Sequence, residues 1–177
     1  MNLREIYEKA ARPEMMKRFG WSSPLAVPRI LKVVVNTGTG RVREDKEREV
    51  IEKHLALITG QKPSPRPAKK SIAAFKTRQG MIIGFVTTLR GKRMYDFLSR
   101  LVEVALPRTR DFRGIPESSV DSSGNLTLGV REHMVFPEIV GEDVRTIFGL
   151  EVTVVTNAKR REEAVELFKL LGFPLKA

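Results

Sequence analysis

Residues 30–36 run Ile-Leu-Lys-Val-Val-Val-Asn, and no other stretch limits the possible folds of this chain as tightly. Side chains alternate across a β-strand, so Leu31, Val33 and Val35 share one face and Ile30, Lys32, Val34 and Asn36 the other. The first set is apolar and predicts a buried face. The second mixes apolar and polar groups and predicts a half-polar platform. Residues 81–90 repeat the pattern, with Met81, Ile83, Phe85, Thr87 and Leu89 opposite Gly84, Val86, Thr88 and Arg90. One-sided strands of this kind suit an antiparallel sheet with a single covered face, not a parallel sheet buried on both sides.

Helical segments supply the cover. Residues 3–19 place Leu3, Ile6, Tyr7 and Ala10 on an apolar face, with Pro13 expected to kink or divide the helix. Residues 44–59 put Ile51, His54, Leu55 and Ile58 on one face before the stop at Gly60. Residues 92–106 carry the stripe Met94, Phe97, Leu98, Leu101 and Ala105 and are expected to close at Pro107, and residues 158–171 form a last helix stopped by Gly172 and Pro174. Further strands are predicted over 126–131, entered through the turn Asp121-Ser-Ser-Gly-Asn125, and over 151–156. Pro63, Pro65 and Pro67 keep their segment out of the centre of any sheet. Residues 71–75 are expected to pair with 81–90 as a hairpin whose tip, 76–80, projects. The expected fold is α+β, a mainly antiparallel sheet with helices packed on one face and a projecting hairpin tip, in one domain spanning residues 1–177.

The charge is divided unevenly. Residues 1–95 hold 21 Lys/Arg against 8 Asp/Glu, whereas residues 96–177 hold 11 against 13, so a strongly cationic half precedes a near-neutral one. Residues 15–43 and 53–95 contain no acid at all. A localised cationic field of this kind attracts a polyanion. Its residues fall in strand and loop segments, not along one face of an amphipathic helix, which favours nucleic acid over a membrane surface.

Groups for catalysis are scarce. There is no cysteine, which removes disulfides, thiol chemistry and Cys-type zinc sites and suits a reducing cytoplasm. The N-terminus lacks an apolar signal core, and no apolar run approaches the roughly 20 residues that span a bilayer. His54 falls on an apolar helix face, and His133 has no metal-binding partner at a known spacing. Asn36-Thr-Gly-Thr-Gly40 follows a strand without completing a phosphate-loop pattern, and the turn at Asp121 has too few carboxylates for calcium. No enzyme, metal or cofactor is expected.

The residues that carry a family resemblance are Val27-Pro-Arg29, Asn36-Thr-Gly-Thr-Gly40, Thr59-Gly-Gln-Lys-Pro63, Ala68-Lys-Lys-Ser-Ile-Ala-Ala-Phe-Lys-Thr-Arg-Gln-Gly80, Thr88-Leu-Arg-Gly-Lys-Arg-Met94, Leu106-Pro-Arg-Thr-Arg-Asp-Phe-Arg-Gly114, Gly129-Val-Arg-Glu132 and Phe136-Pro-Glu-Ile139. In that order and spacing the chain resembles, over essentially its whole length, the family of ribosomal protein five of the bacterial large subunit. Ile82, Thr37, Thr39 and Asn157 depart from the family's usual residues and bear on local loop geometry.

The resemblance implies a structural protein of the central protuberance that binds 5S rRNA, sits in the cytoplasmic ribosome beside large-subunit rRNA and neighbouring large-subunit proteins, and touches P-site tRNA and a small-subunit head protein. It implies 5S rRNA contacts at Lys32, Asn36, Gln61, Lys69, Lys70, Phe75, Thr88 and Arg90, and a tRNA-contacting tip of Lys76, Arg78, Gln79 and Gly80. From the residues alone Phe75 is either a base-stacking group or a core aromatic, and the resemblance favours contact. The near-neutral half, with loops 108–114 and 136–143, is expected to meet protein. The alternative for a basic chain of this type is an RNA chaperone or regulator outside the ribosome.

Overall fold

β1 (Ile30–Gly38) hydrogen-bonds along both edges, to β3 (Ile82–Leu89) on one side and β6 (Leu150–Thr156) on the other, antiparallel to each. β2 (Ser64–Pro67) extends the sheet beyond β3, and β5 (Leu126–Val130) extends it beyond β6, giving the order β2-β3-β1-β6-β5. Two residues of β4 (Ile115–Pro116) pair in parallel with β7 (Leu175–Lys176). The computed structural model describes residues 2–42, 44–142 and 145–176; Arg43 and Asp143, which contribute to the charge and loop readings above, lie outside the described residues.

Burial follows the alternation. Val33, Val35, Phe85, Leu89, Leu126, Leu128, Val152 and Val154 are buried, while Val34, Asn36, Val86, Thr88, Thr153 and Val155 on the opposite face are only half-buried. α3 (Asp45–Thr59) and α4 (Gly91–Arg100) cover the first face, α3 against β3 and α4 against β1. Ile51, His54, Leu55, Ile58, Met94, Phe97, Leu98, Leu101 and Ala105 are all buried there, as the helical stripes predict. Each large side chain so enclosed contributes about 1.5–3 kcal/mol. Gly60 ends α3 with φ +65°, its N–H bonded to Ala56 O at 2.8 Å. The last helix, α6 (Arg161–Leu170), is shorter than expected.

Neither helical proline ends its helix, and both are accommodated in the same way. The N-terminal helix continues from α1 (Leu3–Ile6) through a π turn (Tyr7–Ala11) into α2 (Arg12–Phe19) without dividing at Pro13. After α4 the chain passes through a second π turn (Leu101–Ala105) into α5 (Leu106–Arg108), so Pro107 does not end the helix. The residue before each proline reaches five positions back, Arg12 N–H to Tyr7 O and Leu106 N–H to Leu101 O. A widened turn gives the pyrrolidine ring room where an α turn would clash. The first of them also puts Ala11 into the core and leaves Ala10 exposed, reversing the expected assignment.

Two strand readings are also corrected. Leu31 is 39% exposed and Ile30 buried, because the β1–β6 register shifts between Ile30 and Lys32 and the extra residue bulges. β3 does form a hairpin, but its partner is β2, where Pro65 and Pro67 are tolerated at a sheet edge. Residues 71–75 make no ladder. Between β2 and β3 the chain makes an excursion closed by Ala68 N–H to Met81 O at 2.8 Å, and its tip turns at Ala73–Phe75 within the lone Ile72–Thr77 bridge. Residues 76–80 thus lie just past the tip, on the returning arm.

His54 and His133 meet in the core, with His54 Nδ1 and His133 Nε2 3.1 Å apart and the His133 ring stacked on Phe148 at 4.0 Å. Burial, with His54 close by, lowers the His133 pKa to about 4. A histidine whose folded pKa lies below its unfolded value favours the folded state when neutral, so its contribution is complete above about pH 6.5 and is lost as pH falls toward 4. Unfolding free energy measured by urea titration should therefore drop by about 1–2 kcal/mol between pH 7 and pH 5, mostly above the range where ordinary carboxylates titrate. A flat profile over that interval would contradict a buried, neutral His133.

Candidate nucleic-acid interface

The open face of the sheet consists of cross-strand rows set by the register. One row runs Gly129, Glu151, Asn36, Val86, Ser64, and the next runs Thr127, Thr153, Val34, Thr88. Lys32 lies one step further along β1, opposite Val155. Arg90 follows β3 directly, exposed and in extended backbone at the start of α4. Gln61 comes from the end of α3, where Thr59 Oγ1 donates to its carbonyl at 3.0 Å, and its own Nε2 donates to Thr88 O at 3.3 Å. Asn36 Nδ2 donates to Glu151 Oε1 at 2.9 Å, and the hydroxyls of Thr127 and Thr153 lie 3.3 Å apart.

The excursion between β2 and β3 extends this surface at one end of the sheet. Lys69, Lys70, Ile72, Phe75 and Thr77 face Gly38, Arg41 and Ile83 around a cavity of about 940 Å³. Phe75 is 73% exposed, which takes it out of the core and leaves its ring face free for contact. Lys76, Arg78, Gln79 and Gly80 are all exposed; Lys76 and Gly80 have φ of +52° and +85°, and Gln79 N–H is held by Ser71 Oγ at 2.9 Å. The structure thus brings Lys32, Asn36, Thr88 and Arg90 to one side of the sheet, with Gln61 joined to it from the end of α3 through Thr88 O. Lys69, Lys70 and Phe75 stand around the adjoining cavity, and the four tip residues form a separate arm.

Electrostatically the surface is dominated by unpaired cations, with Glu151 as the one carboxylate in its paired rows. Lys32, Arg41, Arg66, Lys69, Lys70 and Arg90 enter no ion pair among the described residues, whereas Lys53, Arg100 and Lys169 are paired with Glu142, Glu138 and Glu117. Hydrogen bonding to Lys53 holds the Glu142 carboxyl below the usual range. Hydroxyls and amides in rows between free cations suit phosphate, ribose 2′-OH and base edges together. The Asp121 carboxylate accepts from the N–H groups of Ser123 and Asn125 at 2.9 and 2.8 Å and from Asn125 Nδ2 at 3.0 Å, which lowers its pKa. Among the described residues no three His, Asp or Glu side chains converge on a metal position, and no helix is long and apolar enough to cross a membrane.

Sequence reasoning missed Glu151, Thr153 and Thr127, which belong to the same face although they lie in the near-neutral half. Averaging charge over that half hid them, but the alternation of Thr127 and Gly129 and of Glu151, Thr153 and Val155 carried the signal. It also missed Arg41, beside the cavity, and Arg66, on the edge strand opposite Gly84.

Gly84 fixes how tightly the platform closes, because a Cβ there would sit 2.8 Å from the Thr37 carbonyl oxygen of β1. Gly84→Ala must push β3 away from β1. It should cost about 1–3 kcal/mol in chemical denaturation, and an unchanged midpoint would contradict the close approach.

Residues 23–78 match the family described as Ribosomal protein L5, and residues 82–175 match the C-terminal part of the same ribosomal family. The large ribosomal subunit protein uL5 of Halothermothrix orenii is 51% identical over 97% of both chains. Its counterpart in Chloroflexus aurantiacus is 51% identical over 99% of this chain and 98% of the relative. That of Rubrobacter xylanophilus is 48% identical over 98% and 97%.

Proposed function

The chain belongs to the ribosomal protein L5 family, a structural and non-enzymatic part of the large ribosomal subunit, and from that premise we propose that it anchors 5S rRNA through the open face of its sheet. Its place is the ribosome in the cytoplasm, among ribosomal RNA and proteins. The observation that carries the finer reading is the row structure of that face. Lys32 and Asn36 of β1 and Thr88 and Arg90 from the end of β3 share one side, with Gln61 joined to it through Thr88 O and Lys69, Lys70 and Phe75 at its end. The cations meet phosphates, the amides and hydroxyls meet ribose and base edges, and Phe75 stacks on an unpaired base.

The chain works as one unit in this reading, with residues 1–95 on RNA and residues 96–177 mainly on protein. Met134, Val140 and Ile147 are exposed apolar groups of the latter half, at 41%, 71% and 58%, and they suit a protein neighbour in the small-subunit head. Arg108, Arg110 and Arg113 line a cavity of about 620 Å³ beside Met134 and would meet acidic side chains of that neighbour.

Affinity for 5S rRNA should fall with salt with a log-log slope of roughly 0.7–0.9 per phosphate neutralised. Asn36→Ala or Arg90→Ala should cost about 1–3 kcal/mol against 5S rRNA and much less against an unrelated structured RNA of equal length. Filter binding at matched salt measures both. Equal affinity for the two RNAs would replace the anchoring role with that of a general RNA chaperone.

The returning arm past the excursion tip is proposed to touch P-site tRNA. Replacing Lys76, Arg78 and Gln79 together by alanine should leave 5S rRNA binding nearly intact, since the sheet is untouched, while speeding dissociation of P-site tRNA from assembled ribosomes. An unchanged dissociation rate would make the arm a solvated turn.

A further inference from the structure

Among the paired residues of the open sheet face Glu151 is the one carboxylate, and a carboxylate on a phosphate-binding surface repels the backbone that the surrounding cations attract. It is held in place. Asn36 Nδ2 donates to its Oε1 at 2.9 Å, and the two residues are direct partners in adjacent antiparallel strands. Beside the pair lies a shallow cavity of about 350 Å³ lined by Asn36, Gly38, Gly129, Arg131, Gly149 and Glu151, among others. A Cβ built on Gly38 or Gly129 would meet nothing within 4 Å, so the backbone there is bare and a flat ring can lie against it. Gly38 and Gly149 also line the larger cavity at Phe75, so the two are continuous along the same end of the sheet.

We propose that Asn36 and Glu151 form a guanine-reading site, in which a guanine of the bound RNA lies on the glycine floor with its Watson–Crick edge toward the pair. The inference rests on the RNA-binding reading above and adds the base that this part of the surface selects. A carboxylate only accepts hydrogen bonds, so its partner must present donors. Guanine presents two adjacent donors, N1–H and the N2 amino group, next to the acceptor O6. Glu151 takes the two donors. The second proton of the Asn36 amide, not used by Glu151, reaches O6. Adenine would set its N1 lone pair against the carboxylate, uracil offers one donor between two acceptors, and cytosine offers one donor beside an acceptor. Arg131 at the rim of the cavity is placed for the phosphate of that nucleotide, so the negative charge on Glu151 turns the base inward and the backbone outward.

The test compares the wild-type protein with Glu151→Gln on 5S rRNA transcripts carrying sparse phosphorothioate-tagged inosine, which lacks only the 2-amino group of guanosine. Bound and unbound RNA are separated and cleaved with iodine to map the tagged positions. Inosine positions that interfere with both proteins report RNA folding; the reading site is a position depleted from RNA bound by the wild type and not from RNA bound by Glu151→Gln. Glu151→Gln should also bind 5S rRNA about tenfold more weakly, as for one lost bidentate base contact, while its affinity for an unrelated RNA stays level or rises as a repulsive charge is removed. Gly129→Val, which fills the floor and leaves the Asn36–Glu151 bond in place, should erase the same interference position, and it keeps the test decisive should Glu151→Gln misfold. Identical interference maps for all three proteins, or an equal change in affinity for both RNAs, would overturn the assignment. Failure of the wild type to prefer 5S rRNA would overturn the anchoring role instead.

Discussion

Two-sided pairing of β1 is the constraint on which the rest of the molecule depends. Because β3 and β6 both hydrogen-bond to it, its register fixes the core and the open face at once. Val33 and Val35 point into the helices, while Val34 and Asn36, their immediate neighbours, point away. A slip of one residue would exchange the two sets, burying an amide and exposing valines. The burial of one face therefore enforces the geometry of the other, and the polar rows need no separate device to hold them in line. The bulge at Leu31 confines the one irregularity to the start of the strand, before the rows begin.

The halves distinguished by charge are not separate bodies. One hydrophobic cluster runs from Leu3 to Phe173 and takes residues from both. His54 of α3 meets His133 and Phe148 across the division, Lys53 bonds Glu142 at 2.6 Å, and Arg100 pairs with Glu138. The surface is thus polarised while the interior is shared, and β6 carries part of the open face from the near-neutral half. A cationic field and a neutral flank can then be presented by one rigid sheet.

What could be read from the residues was what depends on local spacing. The faces of residues 30–36 and 81–90, the stripes of α3 and α4, and the stop at Gly60 all follow from periodicity and backbone preference. What could not be read depends on pairing between distant segments. Nothing local distinguishes residues 71–75, with two alanines and a phenylalanine, from the proline-rich 64–67 as the partner of β3, and the prolines argue the wrong way unless the strand is known to lie at an edge. Phe75 likewise has the composition of a core residue, and its exposure is decided by where the excursion leaves the sheet. Glu151 was legible as a strand residue but not as a neighbour of Asn36, since only the β1–β6 register brings them together.

The π turns give the helices a different way of counting. Leu3, Tyr7, Ala11 and Met15 are all buried, each four residues from the last. In an ideal α-helix every step of four overshoots a full turn by about 40°, so the third step would carry Met15 about 120° around the axis and out of the core. Widening the turn at Tyr7–Ala11 slows the rotation and cancels much of that drift, so a strict four-residue beat stays on the side of the helix that meets α4 and α6. Phe97, Leu101 and Ala105 keep the same beat into the second π turn. A proline two residues after such a run then marks a place where the helix has gained a residue, not one where it stops. Deleting a single residue inside either run would leave the composition nearly unchanged and rotate everything beyond it by about 100°.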